Sequence, residues 1–267
     1  MTWANKPTAT SFGLNTARRN AHHQSWIARR FAVRGGVADN LFSDRTIRDE
    51  TLTRRDVEAL TSHSGPVHLV DCNLEEADLS ALDLGSWTFE RCDLRRAAFS
   101  GAKLETTRWK ACRGSAADFV GADLSDAVFI SSDFNNASFH RATLTSAAFS
   151  GCKLTGADLS DARSMDIRFE ETLLVSVKLP SHSFRKQTLR KIDFSQSDLR
   201  KCDFRATVFE GCSLRDTNLV GARFEGADLR GADLGGLRLV DAALFRGAII
   251  SPAQAGQLLG ELGLKLG

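Results

Sequence analysis

No apolar run in this chain approaches the roughly 18 residues a membrane-spanning helix requires, so the sequence holds no such span. The six cysteines include no C-x-x-C pair, and His22, His23, His63, His68, His140 and His182 have no zinc-ligand spacing, so no metal site is expected. A nucleophile elbow and a phosphate-cradling glycine loop are also lacking. With no pocket-forming fold in sight either, catalysis is the least expected class of function: no catalytic residue, cofactor or metal is assigned. Residues 1–38 contain Lys6, Arg18, Arg19, Arg29, Arg30 and Arg34 but no acidic residue and no apolar h-region, which argues against a secretory signal. That composition suits a disordered basic tail over 1–40 or an upstream start codon better than a transit peptide.

What the chain does have is a period of five. In Gly151–Ser160, GCKLTGADLS, a small residue (Cys152, Ala157) is followed by a polar one (Lys153, Asp158) and a leucine (Leu154, Leu159). Taking the leucine as the centre of each unit, centres fall at every position ending in 4 or 9. From Leu69 to Ile249 that makes 37 consecutive units, with only Gly114 and Ser164 lacking a large apolar side chain at the centre. None of the 50 charged residues between 67 and 250 occupies a centre or the small-residue position two before it. Those two columns therefore face inward, where an unpaired charge would be costly. Neither a helical period of 3.6 nor a strand period of 2 fits this pattern. A short fixed period marks a solenoid whose units form a continuous core only when stacked. All six cysteines, Cys72, Cys92, Cys112, Cys152, Cys202 and Cys212, sit at the small-residue position and read as buried, reduced fillers.

The triplet Ala-Asp-Leu at 77–79, 122–124, 157–159, 227–229 and 232–234 resembles the consensus of the pentapeptide-repeat family. The resemblance covers about 67–250. It implies an all-β chain, a right-handed quadrilateral β-helix with four pentapeptides per coil and one per face. At a coil spacing of about 4.8 Å, outward residues 20 apart are neighbours, and the rod would be about 44 Å long. The expected divisions are a tail (1–40), an N-terminal cap (41–66), the β-helix (67–250) and a C-terminal segment (251–267). Thr53 and Asp56 resemble a capping box, placing a short helix near 54–62. Ser251-Pro252 starts a second helix that runs to about Leu262 and stops at Gly263. Irregular residues cluster at 163–192: Ser164 at a centre, Pro180 after one, and Ile167, Val177, His182, Gln187 and Ile192 at the small position. A bulge or kink is expected there, either a tolerated defect or a hinge or partner-shaped step.

The leucine-rich end is similar to the ends of pentapeptide proteins that protect DNA gyrase from quinolones or other gyrase poisons. That resemblance implies a homodimer through Leu258, Leu259, Leu262, Leu264 and Leu266, in a cytoplasmic protein whose partner is gyrase or topoisomerase IV. Mimicry of duplex DNA would use Asp118, Asp123, Asp126, Asp158, Asp161 and Asp166, since residues 61–174 carry 11 basic against 17 acidic residues. Against a strong version, charge alternates along the outward columns, as in Asp93, Arg113, Asp133 and Lys153, so pairs across coils are expected to neutralise much of the surface. The alternative is a scaffold or effector with another partner, using the basic patch Arg185, Lys186, Arg190, Lys191 and Arg205. Without interleaved aromatic platforms, direct nucleic-acid binding by that patch is not expected.

Overall fold

The structure is a computed structural model that describes residues 45–62, 65–236, 243–261 and 263–264. The chain divides into Met1–Asp44 and Arg45–Gly267; the expected basic tail falls in the first unit, outside the described residues. The second unit is a β-solenoid of about nine turns. Its first face carries the strands, β1 (Thr46–Arg48), then β2 (His68–Val70), β3 (Thr88–Glu90), β4 (Arg108–Lys110), β5 (Val128–Ile130), β6 (Ala148–Ser150), β7 (Arg168–Glu170), β8 (Thr188–Arg190), β9 (Val208–Ser213) and β10 (Asp228–Asp233). Neighbours pair in parallel with a shift of 20 residues from β2 to β7, as in Phe89 against Trp109. The other three faces are joined coil to coil by isolated parallel bridges such as Asn73–Asp93, Asp78–Ala98 and Asp83–Lys103.

Both inward columns do what the pattern requires. Centres stack on their own kind: Phe99, Phe119 and Phe139 on the third face lie 4.9 Å apart, and Phe89 and Trp109 on the first lie 4.1 Å apart. Ala97, Ala117, Ala137 and Ala157 fill one corner without exposure. The residue two after each centre turns the chain in the left-handed region, with φ of 55°, 59°, 60° and 64° at Asp71, Glu76, Ala81 and Ser86. For non-glycine residues this conformation is intrinsically unfavourable. The inter-coil ladder holds it, since Glu76 donates its N–H to Arg95 O and Ala81 donates to Ser100 O.

Five of the six cysteines share one corner, between the first and second faces, in a column that continues with Ser132 and Thr172. At the other corners the small residue's N–H bonds the carbonyl of the preceding centre, as Ala97 does to Leu94. At Cys92, Cys112, Ser132 and Thr172 that turn bond is not made. Their side chains instead donate to the centre carbonyl of the coil above, Cys92 Sγ to Leu69 O at 3.4 Å and Thr172 Oγ1 to Phe149 O at 3.3 Å. A small donor suits this column better than alanine does. Burial pushes the Cys152 thiol up to about 11 and the Cys202 thiol to about 12, which keeps both protonated and unreactive.

Each end is closed by a helix whose side chains stand in for a missing coil. Helix α1 (Arg54–Thr61) starts where Asp56 accepts from the Thr53 backbone N–H at 2.8 Å and its hydroxyl at 2.6 Å. Val57 plugs the core, and Arg54 Nη1 reaches Asp78 O and Ser80 O, which have no backbone donor among the described residues. Strand β1, unforeseen from the repeat, pairs with β2 at a shift of 22 because α1 replaces the rest of its coil. Helix α2 (Pro252–Glu261) begins with a reciprocal Ser251–Gln254 cap, and buried Gln254 Nε2 donates to Leu229 O and Ala232 O at 2.7 Å each.

One expectation is corrected. The repeat does not keep its frame to Ile249: Phe245 stacks under Phe224 at 4.7 Å, Asp228 bridges Ile249 at a shift of 21, and Ile249 is 49% exposed. One residue added in the last coil slips every later side chain to its neighbour's position, so Phe245 and Ile250 take the inward places.

Candidate interaction surfaces

The two inward columns are taken up by the core, so candidate functional side chains stand on the outward positions, and the faces differ there. On the first and second faces carboxylates are mostly ion-paired across coils: Asp71 with Arg91 at 2.7 Å, Glu75 with Arg95 at 2.9 Å, Glu90 with Lys110 at 3.2 Å, Glu171 with Lys191 at 2.7 Å. The alternation read from the sequence is partly realised, by Asp93–Arg113 at 3.1 Å and Asp83–Lys103 at 3.3 Å. Such exposed pairs are worth under about 1 kcal/mol each, but they remove net charge from the surface.

The six acidic residues singled out for mimicry lie on the third and fourth faces and their corners. Asp118 and Asp158 share the third face. Asp118 accepts from the Val120 N–H at 2.9 Å and Ser100 Oγ at 2.7 Å; Asp158 accepts from the Ser160 N–H at 2.9 Å and pairs with Lys178 at 3.1 Å. Asp123 on the fourth face accepts from the Ser125 N–H at 3.0 Å. The consensus aspartate thus closes a turn with the N–H two residues on, a structural duty that leaves one oxygen outward. Burial raises the Asp158 carboxyl, but the Ser160 bonds and Lys178 outweigh it and hold it below the usual range. Asp126, Asp161 and Asp166 occupy left-handed corner positions. Among the described residues Asp118, Asp123, Asp161, Asp166 and the neighbouring Glu105 have no ion-pair partner.

The basic patch is less free than its sequence suggests. Arg190 pairs with Glu210 at 2.8 Å, Lys191 with Glu171, and Arg205 forks onto Asp203 at 2.8 and 2.7 Å. Bonded by Arg205 and approached by Arg223, the Asp203 carboxyl is held down at about 2. Arg185 and Lys186 are exposed, with no carboxylate partner among the described residues. They stand on the fourth face and its corner.

Close by lies the irregular zone. His182, too large for its corner, turns into the space left by Ser164: Nδ1 bonds Ser164 Oγ at 2.8 Å, the ring meets Phe184 edge-on at 4.3 Å, and Nε2 is buried with no partner. Burial alone drives the imidazole down to about 4. Pro180 fits because Lys178, where the consensus has aspartate, offers no acceptor for an N–H there. By contrast the other break, Gly114, is filled: Phe134 from the next coil occupies the space and would collide with a Cβ at 114. The sequence marked both breaks but gave no sign of which one a neighbour fills.

At the C-terminal end Leu258 is partly buried against the core and Leu259 is half-buried, whereas Leu264 is 54% exposed. Leu262 and Leu266 lie outside the described residues. Gly263 takes the left-handed conformation, φ 76°, that ends the helix.

The pentapeptide-repeat profile matches at 72–108, 92–129, 122–161, 183–216 and 208–244, eight copies in all, and the chain belongs to this family. The matches stop at 161 and resume at 183, leaving out the zone of Ser164 and His182. No sequence among the curated proteins matches the chain. Among solved structures it is similar to a trypsin-treated form of QnrB1, a plasmid-mediated fluoroquinolone resistance protein, at 18% identity over 83% of this chain and 97% of that one, TM-score 0.53. It is also similar to HetL, a pentapeptide repeat protein involved in heterocyst differentiation regulation from the cyanobacterium Nostoc, at 22% identity over 70% and 86% of the two chains, TM-score 0.41. Among the described residues no helix is long and apolar enough to cross a membrane.

Proposed function

We propose that the chain acts without catalysis, by surface recognition in the cytoplasm, and that its partner is a type II topoisomerase, DNA gyrase before topoisomerase IV, which it protects from quinolones or other poisons by presenting carboxylates where the enzyme reads DNA phosphates. The observation that carries this reading is the uneven partnering of charge. Glu105, Asp118 and Asp123 stand on the third and fourth faces without an ion pair among the described residues, Lys103 in the ladder above Asp123 being turned to Asp83 instead, while the first and second faces are largely self-neutralised. Unpaired carboxylates on a stiff scaffold suit a basic groove that normally holds a duplex. The C-terminal segment, with Leu264 exposed beyond a capping helix, serves in this reading to join two copies. A scaffold for a different protein partner is the second reading, favoured by unpaired Arg185 and Lys186 on the same fourth face.

A supercoiling assay with gyrase, a fluoroquinolone and increasing amounts of this protein tests the proposal. Restored supercoiling at micromolar protein supports it; neither protection nor inhibition at that concentration overturns it and leaves the scaffold reading.

A further inference from the structure

Between the coil that carries β7 and the coil that carries β8, the backbone ladder is open on one side. In the coil above, Arg141 donates to Ser160 O, Leu144 to Arg163 O and Ser146 to Met165 O; in the coil below, Ser181 donates to Arg200 O, Phe184 to Asp203 O and Lys186 to Arg205 O. The equivalent bonds from Asp161 to Pro180, Ser164 to Ser183 and Asp166 to Arg185 are not formed, nor are those from Ser183 to Ala162 and Thr188 to Ile167. Strands β7 and β8 do not pair, which splits the first face into a seven-stranded and a three-stranded sheet. These five absent rungs lie on the fourth face or at its two corners, and the unpaired strands lie on the first face beside it.

The opposite side of the same boundary is intact. Leu174 donates to Asp193 O at 2.8 Å, Ser176 to Ser195 O at 2.9 Å, Leu179 to Asp198 O at 3.0 Å and Asp198 to Val177 O at 2.9 Å. Residue chemistry accounts for the asymmetry. On the second and third faces Ile192 and Val177 are compact enough for their corners and the centres are Leu174 and Leu179. On the fourth face the centre is a serine and the corner a histidine, and Gln187 follows at the next corner. His182 Nδ1 to Ser164 Oγ is the side-chain bond that spans the opened side. Met165, 73% exposed, and Arg163, Arg185 and Lys186, cations with no ion pair among the described residues, stand on the lips.

We infer that the solenoid is jointed here. The stacks before and after the boundary are each stiffened by ladders on four faces, and between them only the second and third faces resist bending. The joint turns about a line along the corner between those two faces, and its mouth on the fourth face widens and narrows, as hinges do where a few positions lack the contacts that hold the rest. A rod bent this way can follow a curved partner surface and bring the acidic patch above the joint and the cations on its lips to one groove. The inference concerns the fold and stands whether or not the partner is a topoisomerase.

Distance distributions between paired spin labels test it, attached through bio-orthogonal side chains because the native cysteines are buried. Thr106 and Ala206 sit at the corner after the fourth face, five coils apart, about 24 Å by the coil spacing. Ala116 and Asp216 sit at the diagonally opposite corner with the same separation, and all four are exposed. The joint predicts a broad distribution for Thr106–Ala206 and a narrow one for Ala116–Asp216. It also predicts that Ser164→Leu with His182→Ala, which restores the repeat at both positions, narrows the first to match the second. Equal widths for the two pairs in the unaltered protein, whether both narrow or both broad, would overturn the joint; so would a folded double variant in which the first pair stays broad.

Discussion

His182 should make this protein lose stability in mildly acidic solution, and the size of the loss follows from its burial. The ring is 5% exposed, its Nε2 has no partner, and burial lowers it from 6.5 to about 4. In the unfolded chain the imidazole takes up a proton below about pH 6.5; in the folded chain it does so only below about 4. The stabilisation from keeping it neutral is therefore complete above pH 6.5, falls as pH drops through the window from 6.5 to 4, and is gone below that. A gap of about 2.5 units corresponds to about 3 kcal/mol, lost at about 1.4 kcal/mol for each pH unit inside the window. Urea midpoints followed by circular dichroism between pH 7.5 and 4.5 would measure it, comparing the unaltered chain with the Ser164→Leu, His182→Ala variant. The difference between the two cancels the half-buried His68, which burial also lowers, and the carboxylates common to both. Parallel pH curves for the two proteins would refute the reasoning.

Further outcomes follow from the same geometry. Ser164→Leu alone should crowd the buried imidazole and His182→Ala alone should leave a cavity, whereas the pair should be more stable than either, with a coupling of about 1–3 kcal/mol in a double-mutant cycle read by chemical denaturation. Gln254→Ala should leave Leu229 O and Ala232 O without their donor, costing about 2–4 kcal/mol and raising amide exchange in the last coil before the rest of the solenoid. Gly114→Leu would satisfy the repeat by sequence yet should destabilise by about 1–3 kcal/mol, because Phe134 already fills the site; a rise in melting temperature would contradict the packing described.

The fold was legible because the period forces it. With charges excluded from two columns in five, the stacked core and the corner residues follow from counting, and the coil length of 20 from the family resemblance. The Thr53–Asp56 and Ser251–Pro252 helix starts were also legible, since capping depends on residues adjacent in sequence. What could not be read depends on contacts between coils. Ile47 joins the first face at a shift of 22, a spacing set by the helix that follows it. That Phe245, and not Leu244, follows Phe224 in the ring column could not be read, because both frames of the last coil are apolar and both side chains pack against the core. Gln254 looks like an ordinary helix residue until the carbonyls of Leu229 and Ala232 are seen to lack donors. For the candidate surfaces, sequence gave the sign of each column but not the partnering. Arg190 and Arg205 are spent on Glu210 and Asp203, while Arg185 beside them is not. The break at Ser164 was visible as a departure, but its one-sided character appears only where His182 turns inward.

The claim that this rod occupies a DNA-reading groove is tested most directly by competition. Fluorescent duplex DNA bound to intact gyrase should be displaced by the unaltered protein. Displacement should weaken at least tenfold, a difference of about 1.4 kcal/mol, when Asp118 and Asp123 are replaced by lysine. Simultaneous binding of DNA and this protein, or displacement indifferent to those two charge reversals, would contradict it.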